Sequence, residues 1–165
     1  MEREFVAQLI GKFNEAGVRY LIAGGFAVIA HGYVRFTNVL DLILHLNTEN
    51  ALKALAILKE EGYAPKIPVP IEQFADAELR RDWVENRNMV AFPLYSEKHL
   101  STGIDLFVTE PLNFHAAFER RFRDKLNEID ADFVGMEDLL QLKRAASRSK
   151  DLLDIKYLEA IRDKR

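Results

Sequence analysis

The 165 residues contain no cysteine. That excludes a disulfide framework, a thiolate zinc site and a cysteine nucleophile. No stretch approaches the ~18 consecutive apolar residues of a membrane span. The opening MEREFVAQLIGKF sets charges inside its apolar pattern, unlike a signal peptide. A cytoplasmic protein with no membrane partner is the expectation. There is no surplus of positive charge either: the net charge is −3, which argues against broad nonspecific nucleic-acid binding. Internal repeats and low-complexity segments are absent. The histidines, His31, His45, His99 and His115, lack metal-ligand spacing.

What is there is an ordinary globular composition, 48% hydrophobic and 30% charged, long enough to bury a real core. The chain is expected to form one domain over 1–165: an α/β core over 1–134 with a helical insert at about 71–87, then C-terminal helices over 135–165.

The organising stretch is Tyr20 to Leu46, YLIAGGFAVIAHGYVRFTNVLDLILHL. It reads as a strand, a Gly24-Gly25 turn, a short helix, a loop carrying Arg35, and a second strand. Glycines before a helix start permit close approach of a backbone or phosphate, and the free N–H groups there favour anions. In the second strand Leu40, Leu42, Leu44 and Leu46 share one face, while Val39, Asp41, Ile43 and His45 share the other. The leucines mark the core side. Asp41 therefore faces a cleft, because a buried isolated carboxylate is costly. Gly103 to Thr109 repeats the device: Ile104, Leu106 and Val108 on one face, Asp105 on the other.

Elsewhere, Phe5, Leu9 and Phe13 predict a helix over 2–16, and Asn47 or Thr48 caps another that Gly62 stops. Three prolines, Pro65, Pro68 and Pro70, make 63–70 a turn or sheet edge, and Asn88 to Tyr95 a further strand. Phe114, Phe118 and Phe122 predict a helix opened by Pro111. Ile129 to Val134 reads as a short strand. Two helices close the chain. The first turns Leu139, Leu140, Leu142 and Ala146 inward; the second, capped by Ser149, turns Leu152, Ile155, Leu158 and Ile161 inward.

The run GG-x5-HGY-x-R-x-T-x3-D-L, with I-D-L far downstream, resembles the nucleotidyltransferase superfamily. The similarity is to its small bacterial branch of minimal nucleotidyltransferases and abortive-infection toxins, whose closing helices carry a pattern like Lys150-Asp151 and Asp154. The resemblance implies an α+β fold: a small mixed sheet packed by helices, with a helical C-terminus. It implies transfer of a nucleoside monophosphate from an NTP to an acceptor, whether protein, tRNA end or small molecule. It places Gly24 and Gly25 at the triphosphate, with Arg35, Thr37 and Lys150 beside the nucleotide. Asp41 and Asp105 become metal ligands and catalytic acids. The first acid of the family's Asp-x-Asp pair falls on Val39, a departure at the metal site. Mg²⁺ binding is thus expected to be weak or single-site, and turnover low. The alternative is a non-catalytic descendant that binds a nucleotide or a protein partner.

Overall fold

The apolar stripe of the first helix is buried as its periodicity predicts. In the computed structural model, which describes residues 3–165, α1 (Arg3–Ala16) buries Phe5, Val6, Leu9, Ile10 and Phe13. Gly17, at φ +73°, ends it in a conformation that costs other residues more. Then come β1 (Tyr20–Ala23), α2 (Gly24–Ala30) and β2 (Val39–Leu44). The Asn47 side chain accepts a hydrogen bond from the Asn50 N–H at 2.7 Å and caps α3 (Thr48–Glu60).

Past α3 the chain forms the short β3 (Tyr63–Pro65), a 3₁₀ turn (Ile71–Ala75) and α4 (Ala77–Arg87). The insert is thus helical in two pieces, divided by Asp76, whose carboxylate caps α4. Strands β4 (Ala91–Ser96) and β5 (Gly103–Phe107) follow.

The helix predicted from Pro111 through Phe122 is shorter than its phenylalanine stripe. Asn113 caps α5 (Phe114–Glu119), and Phe122 instead opens β6 (Phe122–Leu126), paired antiparallel with β7 (Ile129–Phe133). The turn between these strands places Asn127 at φ +55°, a conformation that asparagine tolerates. Phe122 stands opposite Phe133, so cross-strand packing takes a residue that helical spacing also suited.

The strands form one mixed sheet in the order β3-β4-β5-β2-β1-β7-β6. Leu40, Leu42, Ile104, Leu106, Phe92 and Leu94 are fully buried on its core face, where Phe74 and Trp83 pack against Phe92. Each such side chain contributes about 1.5–3 kcal/mol. The chain closes with α6 (Met136–Ala146) and α7 (Ser149–Asp163). Here the inward faces differ from the aliphatic reading. Helix α6 buries Leu139, Leu140 and Lys143, while Ala146 is exposed. Helix α7 buries Asp151, Asp154 and Leu158, and Leu152 is 60% exposed. Arg148, not Ser149, occupies the N-cap of α7, with its backbone N–H donating to Asp151. Among the described residues no helix is long and apolar enough to cross a membrane.

Candidate functional site

Parallel pairing brings the two strand-borne acids together. Asp41 of β2 lies directly opposite Asp105 of β5, and Ala23 at the end of β1 lies opposite Asp41 from the other side. In-register neighbours project to the same face, so both carboxylates share the face away from the leucines. Neither makes a hydrogen bond or ion pair within the protein among the described residues. Burial and then the neighbouring Asp105 charge push the Asp41 carboxyl up to about 6. Burial also raises Asp105, with Lys66 and Lys150 opposing. Two half-buried acids without partners, each made harder to ionise, form a place where a cation or a shared proton is favoured.

The glycine turn adjoins them. Gly24 has φ +61°, and a Cβ there would overlap the Asp41 carboxylate, 2.7 Å from its Cγ. A Cβ on Gly25 would fall 2.7 Å from Thr37 Oγ1 and 3.2 Å from an Arg35 terminal nitrogen. Each glycine thus admits a neighbouring side chain. The Thr37 hydroxyl donates to the Val39 carbonyl at 3.3 Å.

Arg35 is held by a bidentate pair with Asp154, both bonds 2.9 Å, and also donates to the Phe36 carbonyl at 3.0 Å. Lys143, buried between α6 and α7, pairs with Asp154 at 2.9 Å and Asp151 at 3.2 Å. Arg148 pairs with Asp151 at 2.8 Å. Burial alone would raise the Asp151 carboxyl, but the bonds from Arg148 and Lys143 hold it below the ordinary range. Three cations against two acids leave this cluster one positive charge in surplus, and Lys143, Lys150 and Arg148 all favour the ionised form of Asp41. Lys150 itself is exposed at the start of α7.

Val39 occupies the position two residues before Asp41, opposite Gly103 in an unbroken ladder. No bulge re-aims the adjacent Asn38, which is exposed. Among the described residues no group of three or more His, Cys, Asp and Glu side chains is arranged to hold a metal ion. Two carboxylates are donors enough for one hard cation only if other groups complete its shell, and too few to form a cage for two.

Of the residues singled out in the sequence, the structure brings the glycine turn, Arg35, Thr37, Asp41 and Asp105 together, with the Lys150 charge acting on both acids. Beside them it sets Lys143, Arg148 and Lys66, which the sequence reading did not single out as site residues. A signal for Lys143 existed: it lies four residues from Leu139 and three from Leu140, on their buried stripe.

No protein-family signature and no curated protein sequence matches the chain. Solved structures do. The crystal structure of the lincosamide antibiotic adenylyltransferase LnuA, lincomycin-bound, aligns with TM-score 0.64 at 16% identity over 98% of each chain. An antigenic nucleotidyltransferase-like protein from Paracoccidioides brasiliensis aligns with TM-score 0.57 at 16% identity, over 96% of this chain and 74% of that one. The architecture is therefore that of the nucleotidyltransferase fold, a mixed sheet with a helical C-terminus, as the sequence led us to expect.

Proposed function

We propose that the protein binds a nucleoside triphosphate at the Asp41–Asp105 pair and transfers its nucleoside monophosphate to an acceptor hydroxyl. The observation that carries this reading is the in-register pair of unpartnered carboxylates beside the Gly24 turn, on a nucleotidyltransferase fold. In the reaction the acceptor oxygen bonds to the α-phosphorus, the bond to the bridging oxygen breaks, and pyrophosphate leaves. The acceptor proton passes to solvent or to an acid of the pair.

Asp41 and Asp105 would hold Mg²⁺, which when bound supplies charge neutralisation for the triphosphate and the departing pyrophosphate. Lys150, with the surplus charge of the Arg148–Lys143 cluster, stands on the helical side of the pair and would attract the polyphosphate. Arg35 does not reach out as a free clamp. Its guanidinium is fixed to Asp154, and it orders the loop packed on Gly25.

A specific observation favours a second reading. Val39 removes one ligand and sets a branched apolar group beside the ion position, which suits a nucleotide-binding module with little turnover. Calorimetry of ATP binding with and without Mg²⁺, followed by labelled-NTP transfer assays, decides between them. We expect the parent to bind Mg²⁺–ATP, Asp41→Asn to lose at least tenfold in affinity, and Val39→Asp to strengthen the Mg²⁺ dependence and raise transfer. Absence of Mg²⁺-dependent ATP binding in all three proteins would overturn the transferase reading.

A further inference from the structure

The acid pair is set in an apolar floor. On β2 Val39 and Ile43 flank Asp41, and on β5 Gly103 and Phe107 flank Asp105, all on one face. On β4 Pro93 stands opposite Asp105 and Ala91 opposite Phe107, with Tyr95 next on the same face. Strand β4 thus places no charged side chain there. Ala91, Pro93 and Phe107 are half-buried and Tyr95 is 42% exposed. Lys66, whose backbone N–H donates to the Pro93 carbonyl at 2.9 Å, is the cation felt by Asp105 from this side.

The charges are therefore divided about the acid pair. Lys143, Arg148 and Lys150 lie on the helical side, and on the β4 side the surface is apolar but for Lys66 at its margin. In phosphoryl transfer the attacking and leaving oxygens are roughly in line across the phosphorus. A pyrophosphate drawn to the cations leaves the acceptor to approach from the opposite side, over Pro93, Phe107 and Tyr95.

We infer that this β4–β5 surface is the acceptor platform, and that the acceptor is a small neutral alcohol with an apolar body. The inference rests on the proposed transfer. A nucleic-acid end would bring its phosphates against two carboxylates with Lys66 as compensation. A polycationic acceptor would gain from the carboxylates but leave the apolar floor unused. A neutral alcohol with a hydrocarbon body removes that floor from water while presenting its hydroxyl at the acids.

The test is acceptor binding by calorimetry and saturation-transfer NMR, in the presence of Mg²⁺ and a non-hydrolysable ATP analogue. The probes are n-hexyl β-D-glucoside, methyl β-D-glucoside, a polyamino sugar and a single-stranded oligonucleotide with a free 3′-hydroxyl. We expect the hexyl glucoside to bind at least about fivefold tighter than the methyl glucoside, since only its chain adds apolar contact. Tyr95→Lys and Ala91→Glu, checked for folding by circular dichroism, should each cut that affinity by about fivefold or more while leaving the affinity for the ATP analogue within twofold. Equal binding of the two glucosides, tighter binding of the oligonucleotide or the polyamino sugar, or no effect of either folded variant overturns the inference. If the parent binds no nucleotide, the transfer reading falls, and the glucoside comparison made without nucleotide still decides whether the platform exists.

Discussion

The carboxylate of Asp41 lies where the side chain of any residue but glycine at position 24 would have to be. That contact keeps Asp41 pressed against the start of α2, half-buried and without an internal partner, so its negative charge is carried at a cost. The cost has a definite pH dependence. The folded carboxyl titrates at about 6 against an ordinary value of 3.8, so between those values the folded state binds more protons than the unfolded one. Its contribution to stability is therefore fully present below the unfolded value and is lost as pH rises through about 6. Asp41→Asn removes this loss. We expect the variant to be more stable than the parent by about 2 kcal/mol at pH 8, allowing for partial exposure of the site. The gain should shrink through pH 6 and vanish near pH 4. Urea titrations of both proteins across that range check it, and a gain independent of pH would show that Asp41 is not held in a disfavoured charge state.

At the scale of elements, α6 and α7 are joined to the loop before β2 by charge as much as by aliphatic packing. Lys143 is 5% exposed and touches both Asp151 and Asp154. Removing one member of a buried ionic cluster leaves the others uncompensated, typically at ~3–5 kcal/mol. Since Arg35 and Arg148 still serve the two acids, Lys143→Met should cost about 3 kcal/mol in urea unfolding. Arg144→Met, one residue along on an exposed pair with Glu159, should change stability by less than about 0.5 kcal/mol. Equal effects would mean that the buried cluster is no stronger than a surface pair. This cluster also shows where sequence reading stops. Strands β2 and β5 are legible because aliphatic residues alternate, and the odd acid in each marks the face opposite the core. Helix α7 is misread because four aliphatic residues at steps of three offer a plausible inward stripe. The true stripe is Asp151, Asp154 and Leu158, whose burial depends on partners at positions 35, 143 and 148. Arg148 and Lys143 lie within eight residues of Asp151, but Arg35 stands 119 residues from Asp154, and no local pattern encodes that partner. The phenylalanine stripe over 114–122 fails for a related reason: Phe122 obeys its partner Phe133 across the hairpin.

Over the whole molecule, the sheet has two outer strands, and each is guarded differently. The edge β3 is three residues long and ends in Pro65, with Pro68 and Pro70 following. The edge β6 carries Arg123, Asp124 and Lys125 in succession. Short strands, prolines and charge are the usual means of preventing edge-to-edge pairing. Replacing Asp124 and Lys125 together by valine should shift the thermal midpoint by no more than about 3 °C, because both are exposed. Turbidity should nonetheless rise on incubation at concentrations where the parent stays clear. A clear solution would mean that the edge is protected by something other than its charges.

The Arg35–Asp154 pair also spans 119 residues of chain, and that gives the site a history in time. On the ribosome the glycine turn and its loop emerge long before the carboxylate that fastens them. At ~5–20 residues per second the interval is on the order of ten seconds. During it the loop has its sequence but not its latch, and the acid pair lacks the cations of α6 and α7. A nascent chain can build the sheet before that latch and those cations arrive, so under the proposed function nucleotide capture would be a late event in the life of each molecule, reserved for chains that have finished folding.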